Sequence, residues 1–173
     1  MKEKCGVEIE RKYIIALPEP AGLSVLPEYT VSKIEQTYLD APVGVTHRVR
    51  RRDYGSRVEF FETKKLRLDK MSSVEEEREI SKEEYLELLK AIKDGTHTIR
   101  KTRHTFVYQS QCFEIDVYPE WKRTAILETE LRDREERVAF PPFIRVVREV
   151  TGIKDYSNAS MSHAFPDEDE VES

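Results

Sequence analysis

Glu8, Glu10 and Lys12 occupy alternate positions in the stretch Val7-Glu8-Ile9-Glu10-Arg11-Lys12-Tyr13-Ile14-Ile15. Side chains two apart in a β-strand share a face, so the two carboxylates sit roughly 7 Å apart with the ammonium next in line. Such a face has no place in an apolar core. Carboxylates hold hard divalent cations through oxygen, and an ammonium neutralises phosphoryl groups. The triplet is therefore half of a site for a metal ion and a polyanion. Taken alone, the stretch is better explained as a charged edge strand facing solvent, and the rest of the chain shifts that balance.

The alternation recurs along the chain. Arg48, Arg50 and Arg52 share a face of the strand predicted at Thr46 to Arg52, and Glu62 and Lys64 share one at Arg57 to Lys65. Glu75, Glu77 and Glu79 align next, then Lys101 and Arg103, Glu114 and Asp116, and Glu128 and Glu130. The opposite faces are the more apolar ones, as with Phe113, Ile115 and Val117, and Leu127 and Leu131. Ser32 to Leu39 alternates as well, with Ile34, Gln36 and Tyr38 on one side.

The connections carry turn and helix signals. Pro18 and Pro20 lead into a linker with one short helix, and Asp40 to Gly44 and Asp53 to Ser56 are turn chemistry. Leu66 to Ser73 reads as a polar loop over an opening. Ser81 and Glu84 form a capping box for a helix through Lys93, with Tyr85, Leu88, Leu89 and Ile92 as its apolar stripe. The pattern further predicts a helical segment around Asp133 to Arg137 and a last helix from Pro141-Pro142 through Val150. Ile153 to Met161 reads as an ordered loop or short helix.

The apolar strand faces need partners, and the amphipathic helices are the ones available, which makes an α+β fold. If the sheet closes into a β-barrel, the charged faces line a wet interior whose acids and bases require compensating ions. That interior suits a polyphosphate with Mg²⁺ or Mn²⁺. An open sheet with one solvated face satisfies the same pattern.

Bulk properties narrow the function classes. The 173 residues suit one domain, set at 1–165, followed by an acidic tail at 166–173 whose composition predicts disorder. Basic residues number 29 and acidic ones 34, and the net charge of -5 gives no electrostatic case for nucleic acid. Cys5 and Cys112 make neither a CxxC pair nor a disulfide framework. The N-terminus shows no apolar signal region, and no run reaches membrane length, so a cytoplasmic protein without membrane contact is expected, a monomer or homodimer. His47, His97 and His163 lack metal-ligand spacing, and Trp121 reads as a packing residue or loop anchor.

Glu8-Ile9-Glu10-Arg11-Lys12 resembles the ExExK signature of the CYTH domain, or triphosphate tunnel metalloenzyme, family. The similarity continues in order through Gln36-Thr37-Tyr38-Leu39, Arg48-Val49-Arg50, Lys64, Glu77-Arg78-Glu79-Ile80, Lys101-Thr102-Arg103, Phe113-Glu114-Ile115-Asp116 and Leu127-Glu128-Thr129-Glu130-Leu131. It ends at Val150-Thr151-Gly152 and Tyr156-Ser157-Asn158. The resemblance implies a closed eight-stranded antiparallel barrel with a tunnel. By position, Glu8, Glu10, Glu128 and Glu130 match metal ligands, with Asp116 supporting the same ion or a second. Lys12, Arg48, Arg50, Lys64, Lys101 and Arg103 match residues that bind triphosphate, and Tyr38 with Lys64 matches a pair that activates the attacking water. His104 stands where relatives often have tyrosine, and Glu62 where a neutral residue is common. The implied activity is metal-dependent triphosphate hydrolysis, with inorganic tripolyphosphate as substrate. Adenylate cyclase, thiamine triphosphatase and a non-catalytic polyphosphate-binding module are the alternatives.

Overall fold

The computed structural model describes residues 3–171, the side chains of residues 3–5 excepted, so the Cys5 side chain lies outside the described residues. Nine strands form one antiparallel sheet: β1 (Glu3–Ala16), β2 (Thr30–Leu39), β3 (Val45–Asp53), β4 (Val58–Arg67), β5 (Ser72–Glu79), β6 (Ile99–Tyr108), β7 (Gln111–Val117), β8 (Thr124–Leu131) and β9 (Val146–Glu149). Their order is β5-β4-β3-β2-β6-β7-β8-β1-β9, and a β5–β1 pairing closes the first eight into a barrel. Closure leaves no free edge along most of the wall.

The outer faces follow the apolar side of the alternation. Tyr13, Ile15, Phe106, Phe113, Ile115 and Leu127 form one outer cluster with Leu23 of helix α1 (Pro20–Leu23) and Ile144. On the other side Leu39, Val49 and Ile80 pack with Tyr85, and Phe60, Leu88 and Leu89 lie against them. Helix α2 (Lys82–Leu88) supplies that cover, and its Ser81 cap accepts from the Glu84 amide at 3.1 Å, as the capping box predicts.

The inner faces change character along four neighbouring strands. Reading inward positions, β1 passes from Glu10 and Lys12 to Ile14, and β8 from Glu130 and Glu128 to Ile126. On β6 the order is Arg103, Lys101, Ile99, and on β7 it is Glu114, Asp116, after which Tyr118 follows the strand. The apolar ends pack with Trp121, Val150, Tyr156, Met161 and Val171, which fill that end of the barrel. Trp121 is buried and its Nε1 donates to the Pro166 carbonyl at 3.0 Å, so it is the packing residue expected.

Three expectations are corrected. Residues 141–150 form no helix: a turn leads into β9, which pairs with Tyr13 to Ile15 of β1. The reason is an edge. β1 pairs with β5 only as far as Ile9, and its remaining backbone groups on that side need other partners. Residues 133–137 make a turn and not a helical segment. The acidic tail is docked through residue 171: helix α4 (Glu168–Val171) buries Val171, and the Glu168 carboxylate accepts from the amides of Lys122, Arg123 and Thr124. Among the described residues no helix is long and apolar enough to cross a membrane.

Candidate functional site

A cavity of 1190 Å³ lies inside the barrel. β1 contributes Glu8, Glu10 and Lys12 to its wall, β2 contributes Tyr38, and β3 contributes Arg48, Arg50 and Arg52. Opposite them stand Lys65, Glu75 and Glu77 of β4 and β5, and Arg103, Glu114, Glu128 and Glu130 of β6 to β8. The segment Val150–Ser160 completes the wall, including helix α3 (Asn158–Met161).

Arg50 and Arg103 are buried, Lys12, Arg48 and Lys65 half-buried, and the bases are mostly braced by carboxylates. Lys12 Nζ lies 2.7 Å from Glu128, Arg48 lies 3.4 Å from Glu75, and Arg50 lies 3.8 Å from Glu77. Burial pulls Arg50 down to about 10, helped by Arg48 and Arg103 beside it. Among the described residues, the buried Nε atoms of Arg48 and Arg50 have no hydrogen-bond partner. Such orphaned donors are costly unless an anion completes them. Burial also lowers Lys12, but Glu128 and Glu10 outweigh it and hold Lys12 above its ordinary value. Glu128 sits at about 2: burial pushes it up, and Lys12 and Arg103 pull it further down.

Glu10 and Glu130 stand directly across from each other on β1 and β8, and Glu114 stands across from Glu128. Like charges opposite one another destabilise a strand pair unless a cation lies between or near them. The donor set is all oxygen, which fits Mg²⁺ or Mn²⁺. Glu8, Glu10 and Glu130 are the residues that would hold the ion. Glu8 and Glu10 instead lie 4.0 and 3.6 Å from Lys65, and among the described residues no three acidic, histidine or cysteine side chains converge on one point.

Two groups depart from their expected places. Lys64 is exposed on the outer face, across from His47. Lys65 occupies the inner face, 3.3 Å from Glu75. Expected faces are exchanged because register parity on β4 is odd: Thr63, Lys65 and Arg67 point inward, and a shift of one residue moves every side chain across the sheet. Glu62 goes outward with Lys64 and is paired there with His47 at 2.7 Å and Arg78 Nε at 2.6 Å. Lys101 and Asp116 are both buried, bound to each other at 2.6 Å, and neither lines the cavity.

Tyr38 does reach the cavity, where its hydroxyl accepts from Gln36 Nε2 at 2.7 Å. Burial raises its pKa despite the opposing pull of Arg48 and Gln36, which favours the protonated phenol. His104 faces outward, with Nδ1 2.9 Å from the Tyr29 hydroxyl. Sequence reasoning missed Lys65 and left Glu75, Glu77 and Glu114 without a role, although the alternation placed all three acids on inner faces.

A solved structure of the inorganic triphosphatase NE1496 matches this architecture, with a TM-score of 0.58 and 26% identity over 92% of this chain and 97% of that one. The fold is a CYTH-type triphosphate tunnel. Two more distant structures share that fold alone. The tunnel chain is 21% identical to PH1012 from Pyrococcus horikoshii OT3, covering 74% of this chain and 81% of that one at a TM-score of 0.56. It is 18% identical to HpAC1 from Hippeastrum, a putative adenylyl cyclase described as having dominant triphosphatase activity, covering 73% and 81% at a TM-score of 0.52. No protein-family model and no curated protein sequence matches the chain.

Proposed function

We propose that this protein hydrolyses a triphosphate in its tunnel with the help of a divalent cation, and that inorganic tripolyphosphate is its preferred substrate. The observation that carries the reading is the row of half-buried Arg48 and buried Arg50 and Arg103 facing one cavity with Lys12 and Lys65, two of its guanidinium Nε atoms lacking partners among the described residues. Phosphoryl transfer asks a protein chiefly for positioning and charge neutralisation, and these groups supply both. Likeness to the inorganic triphosphatase NE1496 supports the same reaction class.

The cation requirement follows from charge. Among the described residues, ten basic and nine acidic side chains line the cavity, so its walls are nearly neutral. A tripolyphosphate carries several negative charges and would be poorly balanced by the walls alone. Mg²⁺ or Mn²⁺ held by Glu8, Glu10 and Glu130, with Glu128 behind them, would neutralise phosphoryl oxygens and supply Lewis acidity. Lys12, Arg48, Arg50 and Arg103 grip the phosphates, Tyr38 donates a hydrogen bond, and Lys65 takes the role expected of Lys64. Water adds to a terminal phosphorus and pyrophosphate leaves.

Preference for the inorganic substrate rests on the lining. Among the described residues, Tyr38 and His163 are the only ring side chains on the cavity wall, so a base or thiazolium has no paired stacking platform. The test is a parallel incubation with tripolyphosphate, ATP and thiamine triphosphate, following phosphate, pyrophosphate and cyclic AMP. Tripolyphosphate is expected to turn over fastest. Cyclic AMP as the main product from ATP, with tripolyphosphate untouched, would replace this reading with the cyclase.

A further inference from the structure

Asp116 matches a metal-ligand position in the family pattern, yet its carboxylate lies in the floor beneath the cavity, 1% exposed. Both oxygens are engaged. Oδ1 accepts from Arg103 Nε at 2.7 Å, while Oδ2 accepts from Arg103 Nη2 at 2.7 Å and from Lys101 Nζ at 2.6 Å. The arginine contact is bidentate, which fixes the plane and the rotation of the guanidinium together. Arg103 so held presents Nη1 to Glu114 and keeps Nη2 3.6 Å from Glu128, and both of those carboxylates are on the cavity wall.

The same anion reaches a second element. Lys101, with no side-chain exposure, also lies 3.4 Å from Asn158 Oδ1, which accepts the Tyr118 hydroxyl at 2.9 Å. Asn158 begins α3 and lines the cavity. One buried carboxylate thus ties an arginine of the barrel wall and the segment closing its end to a common point.

We propose that Asp116 is a positioning residue that aims Arg103 at the triphosphate and braces the α3 wall through Lys101, and that it is not a metal ligand. The inference rests on the triphosphate reading of the tunnel. Turning Asp116 onto a cation in the cavity would strand two buried basic side chains, the arrangement that buried ion pairs tolerate least.

The two roles differ in the sign of one effect. Asp116→Asn removes a negative charge close to the bound phosphates, so charge alone would tighten anion binding. A lost ligand would weaken metal binding and leave metal-free anion binding equal or tighter. A lost positioning residue would weaken metal-free anion binding and leave metal binding unchanged.

Two titrations of the full chain separate them: tripolyphosphate in excess EDTA by calorimetry, and Mn²⁺ without tripolyphosphate by the resonance of the free ion. For Asp116→Asn, metal-free tripolyphosphate affinity is expected to fall roughly tenfold or more, the scale of a charge-assisted hydrogen bond, with Mn²⁺ affinity unchanged. Arg103→Gln combined with Asp116→Asn should bind no more weakly than Arg103→Gln alone, because the carboxylate acts through the arginine. A fall in Mn²⁺ affinity of about tenfold or more, the size expected when metal ligation is disturbed, with metal-free binding intact, would overturn the proposal. Should Asp116→Asn lose its folded circular dichroism spectrum, Lys101→Met with Asp116→Asn removes a buried cation along with the anion, and the same titrations apply. A wild-type chain that binds no tripolyphosphate with or without metal would refute the triphosphate reading itself, a separate outcome.

Discussion

Lys64 and Lys65 are adjacent on β4 and stand on opposite sides of the barrel wall. The consequence for chemistry is direct, since only the inner lysine can meet a phosphate. Lys65→Ala is expected to lower kcat/KM for tripolyphosphate roughly a hundredfold, the usual cost of removing one electrostatic stabiliser. Lys64→Ala should leave the rate unchanged, as exposed substitutions away from a site usually do. Steady-state kinetics of the two variants side by side checks this, and equal losses would contradict the register of β4. The sequence hides the choice because Phe60 and Phe61 are both aromatic, so the alternation on this strand has no clear parity. Phe60 packs outward against Tyr85 in the helix cover, which sets the parity only once α2 is in place.

Elements differ in how plainly their sequences announce them. Most barrel strands are legible because charge and apolarity alternate with a period of two, and a charged face cannot be exchanged for an apolar one without loss of the core; β4 lacks that plain alternation. The capping box at Ser81 is equally plain. β9 is not, because Pro141-Pro142 followed by Ile144 and Val147 satisfies a helical pattern, and only the open edge of β1 makes it a strand. The tail escapes its composition for a related reason: four acidic residues in a row conceal one buried valine and one carboxylate that caps three backbone amides. Ending the chain at residue 165 removes both, and we expect a loss of about 3 kcal/mol from the valine burial and the charge-assisted hydrogen bonds. Urea unfolding of the shortened chain measures it. An unchanged midpoint would mean that the tail contributes nothing to closing the barrel end.

Across the barrel as a whole, charged and apolar residues are segregated along the axis as well as through the wall. The candidate site is only partly readable for that reason. Alternation tells which side Lys101 and Asp116 face, but not how far along the axis the wet lumen ends, and both lie just below it. Surface ion pairs tie the outer connections. Asp69 is held at about 2 by Arg134 and by the amides of Met71 and Ser72, and Glu136 at about 2 by Arg132. Both folded pKa values are depressed, so their stabilisation is present above the ordinary carboxylate range and is lost as pH falls toward 2. Solvent screening keeps each exposed pair's contribution small, so the thermal midpoint should fall modestly below about pH 4.5. An equal midpoint at pH 3 and pH 7 would show that these pairs do not matter to stability.

Whether the tunnel cleaves tripolyphosphate is read in one phosphorus NMR spectrum of that compound incubated with the protein. With Mg²⁺ or Mn²⁺ removed after quenching, we expect tripolyphosphate resonances to be replaced by pyrophosphate and orthophosphate in equal molar amounts, and excess EDTA during incubation to prevent this. Tripolyphosphate that persists unchanged in the presence of metal, while still binding to the protein, would contradict catalysis and leave a polyphosphate-binding module.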